Sequence, residues 1–121
     1  MPHIVIAEDE DDVREFLLRA FSRCAPHAEV STCPDGSSAL DLIRSRGADL
    51  LISDHRMQAM TGVELLLALR SLGCNLPVVI ISADISAELP AIEAGASAFI
   101  YKPLNIAQIR AIVATWVGPA G

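Results

Sequence analysis

Five side chains with chemical potential stand where short apolar runs end. Glu8 and Asp9 follow Ile4-Val5-Ile6-Ala7, and Asp54 follows Leu50-Leu51-Ile52-Ser53. Ser82 follows Pro77-Val78-Val79-Ile80-Ile81, and Lys102 follows Ala98-Phe99-Ile100-Tyr101. Three carboxylates brought together would repel one another unless they were protonated or bridged by a cation. An all-oxygen set that is partly hydrated suits Mg²⁺, or Mn²⁺ in its place, better than zinc. Beside such an ion an aspartate can attack phosphorus and become an acyl phosphate, and an ammonium and a hydroxyl can hold the new phosphoryl oxygens. Lys102 is the only lysine in the chain, and the other eight cations are arginine. A compact ammonium on a flexible stem does work that a planar guanidinium cannot.

These groups reach one place only if the runs lie side by side. The runs are short and rich in β-branched residues, as strands are, with Ala28–Cys33 as a further one. Between them, apolar residues recur at helical spacing. Val13, Phe16, Leu17, Ala20 and Phe21 mark a first helix, and Ala39, Leu40, Leu42 and Ile43 a second, stopped by Gly47. Val63, Leu66, Leu67 and Leu69 mark a third, stopped by Gly73, and Ile106, Ile109, Ile112, Val113 and Trp116 the last. Five strands alternating with five helices imply an α/β protein, with a parallel sheet covered on both faces and right-handed crossovers. In such a sheet ligands bind beyond the carboxyl ends of the strands, where the five side chains stand.

Composition excludes other classes. Hydrophobic residues are 52% and charged residues 20% of 121, enough to bury a core, so the chain is not a disordered segment. No apolar run approaches a membrane span, and Met1-Pro2-His3 lacks the charge of a signal peptide, so a cytoplasmic location is expected. The net charge of −6, with acids at every position from Glu8 to Asp12, argues against nucleic-acid binding. Glu10, Asp11 and Asp12 read as a solvated helix start, where the dipole favours acids. Cys24, Cys33 and Cys74 contain no C-x-x-C pair and have no ligand spacing with His3, His27 or His55. They read as free, mostly buried thiols. His55 reads as an exposed loop residue rather than a base.

At these positions the chain resembles the receiver domains of two-component response regulators. Ile-Val-Ile-Ala-Glu-Asp-Glu (4–10) is similar to their first strand and acidic pair, and the stretch Leu51 to Gly62 to their phosphoacceptor loop. Val-Ile-Ile-Ser-Ala (79–83) and the segment Glu93 to Leu104 resemble the switch-hydroxyl strand and the Lys-Pro segment. The resemblance covers essentially the whole chain, as one receiver domain over 1–121. It implies a flavodoxin-like, doubly wound (βα)5 fold with strand order 2-1-3-4-5.

By the same resemblance Asp54 is the phosphoacceptor, and Asp9 and Asp54 hold Mg²⁺ directly. Glu8 acts mainly through a water, and the backbone carbonyl of Arg56 completes the ligands. Ser82 and Lys102 bind the phosphoryl group, and Ser82 and Phe99 rearrange when it arrives. The implied donor is a sensor histidine kinase or a histidine phosphotransfer protein. The downstream partner or fused output domain is left open. The domain would be a signalling module rather than an enzyme.

The chain departs from the family pattern in places. Gln58 stands where proline is usual, Thr61 where aspartate is common, and Glu8 replaces an aspartate. The stretch from Ser82 to Gly95 is about two residues short and holds Pro90, so a fourth helix of about two turns is expected, beginning between Ser86 and Pro90. Three rivals remain. A degenerate receiver would serve only as an interaction module. A small phosphohydrolase of the haloacid-dehalogenase kind would want a second Asp where Arg56 stands. A nucleotide-binding domain would want a glycine-rich loop after the first strand, which is absent.

Overall fold

The β-branched runs form strands because their side chains can be buried on both faces of one sheet, which a continuous apolar run requires. In the computed structural model, which describes residues 1–119, they are β1 (His3–Ala7), β2 (Glu29–Cys33), β3 (Leu50–Asp54), β4 (Val78–Ser82) and β5 (Ala98–Tyr101). All neighbours pair in parallel, in the order β2-β1-β3-β4-β5. The doubly wound order expected from the resemblance is therefore the observed one. The winding reverses between β1 and β3, which puts a crevice beyond their carboxyl ends. The register sets Ala7 opposite Ser53 and Asp54 opposite Ile81, so Glu8 and Asp54 leave the sheet at nearly the same level.

Alternation along each strand divides the core in two. Ile4, Ile6, Ile52, Val79 and Ile81 face one side and pack on α1 (Asp11–Cys24) and α5 (Ile106–Trp116) through Leu17, Phe21, Ile109 and Ile112. Val5, Ala7, Leu51, Val78 and Ile80 face the other and meet α2 (Gly36–Arg46), α3 (Gly62–Ser71) and α4 (Glu88–Glu93). α4 is a six-residue helix entered through a 3-10 turn, Ile85–Ala87. Its shortness is expected from Pro90 and the trimmed spacing, and β5, at the edge of the sheet beside it, is only half-buried.

The helix ends follow local chemistry. Asp35 caps α2 by accepting from Ser38 N–H, and Gly47 ends it at φ +74°. Thr61 and Glu64 form a reciprocal capping box at α3, and Asn105 and Gln108 form one at α5. Thr61, which departs from the family pattern, thus does the capping an aspartate would do.

Several expectations need correcting. In α3 the inward stripe is Leu65, Leu66 and Leu69, while Leu67 is exposed, because five consecutive apolar residues, Leu65 to Leu69, leave the phase of the stripe undecided. Phe16 and Ile106 are exposed at the edges of their helices rather than buried, and Trp116 packs half-buried against the first core. All three thiols are free, but only Cys33 is buried. After α5, Gly118 takes φ +80°, and the remainder of the expected helix-ending tail, Ala120 and Gly121, lies outside the described residues.

Candidate functional site

Beyond the carboxyl ends of the central strands, the side chains of Glu8, Asp9 and Asp54 each offer an oxygen within 4.8 Å of the others. Backbone bonding fixes this. Glu8 N–H donates to Cys33 carbonyl (3.0 Å), extending the β1–β2 ladder by one residue. His55 N–H donates to Ile81 carbonyl (3.0 Å), holding Asp54 at the end of β3. The next loop folds back so that Gly62 N–H reaches His55 carbonyl (2.9 Å). A Cβ on Gly62 would lie 2.5 Å from the Asp54 carbonyl oxygen, so only glycine lets α3 start this close to the end of β3. In the same loop Ala59 takes the left-handed region at φ 67°.

Lys102 enters from β5. Its N–H donates to Ser82 carbonyl (3.0 Å), and its ammonium lies 2.9 Å from Glu8 Oε1 and 3.2 Å from Asp54 Oδ2. The following Lys102–Pro103 peptide bond is cis. Glu8 is fully buried and Asp54 nearly so. Burial pushes both carboxyls above the ordinary carboxylate range, against the opposing pull of Lys102. Burial alone would draw the Lys102 ammonium down, but Glu8 and Asp54 more than offset it and the net shift is upward. Glu8 also accepts from Glu10 N–H through Oε2 (3.1 Å), so both of its oxygens have partners. Asp9 is half-buried.

Asp9, Asp54, Ser82 and Lys102 line one open cleft, together with Arg56. Its volume is ≈ 380 Å³. Ser82 is buried, and its Oγ accepts from Asp84 N–H (3.0 Å). Phe99 stands apart from the cleft. It is half-buried on the face of the second core, opposite Ile100, with its ring edge-on to Tyr101 at 5.2 Å. His55 is half-buried rather than exposed, and its Nδ1 is buried without a hydrogen-bond partner.

The structure adds residues that spacing did not single out. Asp84 is a fourth carboxylate on the cleft, paired with Arg56 Nη2 at 2.7 Å. Its Asp-x-Ser context was a legible turn signal, since Oδ1 accepts from Ser86 N–H, but the pairing with Arg56, 28 residues away, was not. Gly62 carried only a helix-start signal, and the close approach to Asp54 is tertiary.

A family model described as response regulator receiver domain matches residues 4–114. Response regulator MprA of Mycolicibacterium vanbaalenii is 33% identical over 110 residues, 89% of this chain and 47% of that protein. The chain thus spans about half the length of the curated relatives it matches. Among solved structures, the receiver domain of NtrX from Brucella abortus superposes with a TM-score of 0.83 at 30% identity, covering 93% of this chain and 95% of that one. The Francisella response regulator 1452 receiver domain does so at 0.85 and 26% identity, covering 95% of each.

Proposed function

The chain belongs to the response regulator receiver domain family, and on that footing we propose that it is a phosphoacceptor switch in which Asp54 takes a phosphoryl group from a histidine kinase or histidine phosphotransfer protein. One receiver domain would occupy the whole of 1–121. The observation that carries the reading is the single ammonium of Lys102 set between two buried carboxylates, with a third carboxylate and a buried hydroxyl on the same cleft.

The donor set fits a hard divalent cation. Three carboxylate oxygens lie within 4.8 Å of one another, and two of the carboxyls are held protonation-prone by burial. Asp9 and Asp54 would hold Mg²⁺, or Mn²⁺, directly, with the Arg56 carbonyl as a further ligand and Glu8 acting through water. Mg²⁺ supplies charge neutralisation at the phosphoryl oxygens. Glu8 holds Lys102 in place while Lys102 remains charged.

In the transfer, an Asp54 carboxylate oxygen attacks phosphorus and the P–N bond of the phosphohistidine breaks. The bonding electrons stay with the imidazole nitrogen, which takes a proton from solvent, and an acyl phosphate remains on Asp54. Lys102 and the Ser82 hydroxyl then hold phosphoryl oxygens. Drawing Ser82 inward would free space for Phe99, shifting the population of states on the α4–β5 side. A haloacid-dehalogenase mechanism lacks support, because the position two after Asp54 carries a guanidinium rather than an acid. The domain acts as a signalling module, and a cytoplasmic setting is part of the proposal. Among the described residues no helix is long and apolar enough to cross a membrane.

Incubation with acetyl phosphate and Mg²⁺, followed by mass spectrometry, tests this. One phosphoryl group should be gained and none by Asp54→Asn. Unchanged gain in that variant would overturn the assignment, and continuous turnover of the donor without a stable adduct would point to a hydrolase instead.

A further inference from the structure

Two charged side chains at the mouth of the cleft have no role in the phosphotransfer reading. Arg56 and Asp84 pair at 2.7 Å, with Arg56 76% exposed and Asp84 26%. The bond joins the loop after β3 to the residue that opens the 3-10 turn before α4. Asp84 is also tied inward and onward. Its N–H donates to Ser82 Oγ (3.0 Å), and its Oδ1 accepts from the N–H (3.0 Å) and the hydroxyl (2.7 Å) of Ser86. Arg56, first among these partners, and Ser86 hold the Asp84 carboxyl well below the usual carboxylate range. Lys102 and Arg56 are the two cations lining the cleft, and Lys102 is already engaged by Glu8 and Asp54.

We propose that Arg56 is a phosphoryl-binding side chain held in reserve by Asp84, the two forming a latch across the cleft. The inference rests on Asp54 being the acceptor. A phosphoryl group on Asp54 presents three strong acceptor oxygens and close to two negative charges, more than one ammonium can satisfy. A guanidinium fork matches phosphate oxygens in pairs, and its exposed bond to Asp84 is weak enough to be exchanged. When Arg56 turns to the phosphoryl group, Asp84 loses its main counter-charge. Asp84 bonds both Ser82 and Ser86, so the exchange reaches the start of α4 along the chain.

The test is a double-mutant cycle on the full chain, reading the initial rate of phosphoryl gain from sub-saturating acetyl phosphate with Mg²⁺. Asp84→Asn keeps the oxygen that accepts from Ser86 and cancels only the charge, so it should raise the rate about three- to fivefold. Arg56→Ala should lower it by a similar factor, and Arg56→Lys should lie between Arg56→Ala and the parent. The double variant should match Arg56→Ala, since Asp84 acts through Arg56. Raising the salt concentration should shrink the gain in Asp84→Asn. An Asp84→Asn effect of equal size with and without Arg56 would overturn the latch, and so would no effect in either background. A parent chain that gains no phosphoryl group would overturn the acceptor reading itself, and the latch with it.

Discussion

The two ends of the same strands are built on opposite terms. At the amino-terminal edge, polar groups are matched one to one. His3 bonds Gly47 carbonyl (2.9 Å) and Ser31 Oγ (2.8 Å) through its two ring nitrogens, and its N–H donates to Asp49 Oδ2 (2.8 Å). Arg70 donates to the carbonyls of Cys74 (3.0 Å), Leu76 (2.9 Å) and Gly95 (3.4 Å), tying the entries of β4 and β5 together. At the carboxyl-terminal edge Glu8 and Asp54 share one ammonium with Asp9 close beside them, and burial opposes the charge of Glu8 and Asp54. The first edge is arranged for stability. The second holds more negative than positive charge, an imbalance that a bound cation would offset.

The contrast breaks most sharply at Gly62. An added Cβ there meets backbone at 2.5 Å, which cannot yield, so Gly62→Ala should cost about 3 kcal/mol and slow modification of Asp54. Gly36→Ala meets the Met60 side chain, Sδ at 3.0 Å and Cβ and Cγ at 3.2 Å, which need yield only a few tenths of an ångström, so it should cost less stability than Gly62→Ala and leave modification of Asp54 nearly intact. Chemical denaturation beside the phosphorylation assay separates the two. If Gly36→Ala proved as harmful as Gly62→Ala, backbone contact at Asp54 would not be what matters.

At the opposite edge, Arg70→Ala leaves carbonyls without donors and should lower stability by about 2 kcal/mol while the phosphorylation rate stays within twofold. A large fall in rate with little loss of stability would show that the edges are not separable. Asp9→Asn should weaken Mg²⁺ binding about tenfold, while Glu10→Gln, at the solvated helix start, should leave it unchanged. Calorimetric titration decides, and equal losses would mean general acidity rather than a defined site attracts the ion.

The smallest effect is in stability against pH. Because Asp54 and Glu8 titrate above the ordinary carboxylate range, the folded state keeps protons that the unfolded state has released in that window. Stability from these groups therefore falls as pH rises through it. Asp84, Asp35 and Glu64 are shifted down by hydrogen bonds, so their contribution is present at neutral pH and lost as pH falls into the acid range. Asp54→Asn should then raise stability near neutral pH by about 1 kcal/mol and flatten the fall, as should Mg²⁺ on the parent. Urea titrations from acid to neutral pH read this, and an unchanged slope in Asp54→Asn would refute it.

Much of this arrangement was legible in the chain. Short β-branched runs broken by helical periods predict the parallel sheet, and the polar residues at the ends of those runs predict a site of Glu8, Asp9, Asp54, Ser82 and Lys102 at one edge. Pro90 and the shortened spacing around it predict the short α4. Such signals are local, since period, turn chemistry and chain length act within a few residues. The inward phase of α3 was not legible, because Leu65, Leu66 and Leu67 are equally apolar and only the packing partner chooses among them. Neither was the Arg56–Asp84 bond, nor the approach of Gly62 to Asp54, nor the way Glu8 and Asp54 share Lys102. The sequence by itself determined on which strand end Glu8, Asp9, Asp54, Ser82 and Lys102 each stand. Their partners, burial and protonation were decided by the tertiary structure alone, because these depend on residues tens of positions apart whose distances exist only once the sheet has closed.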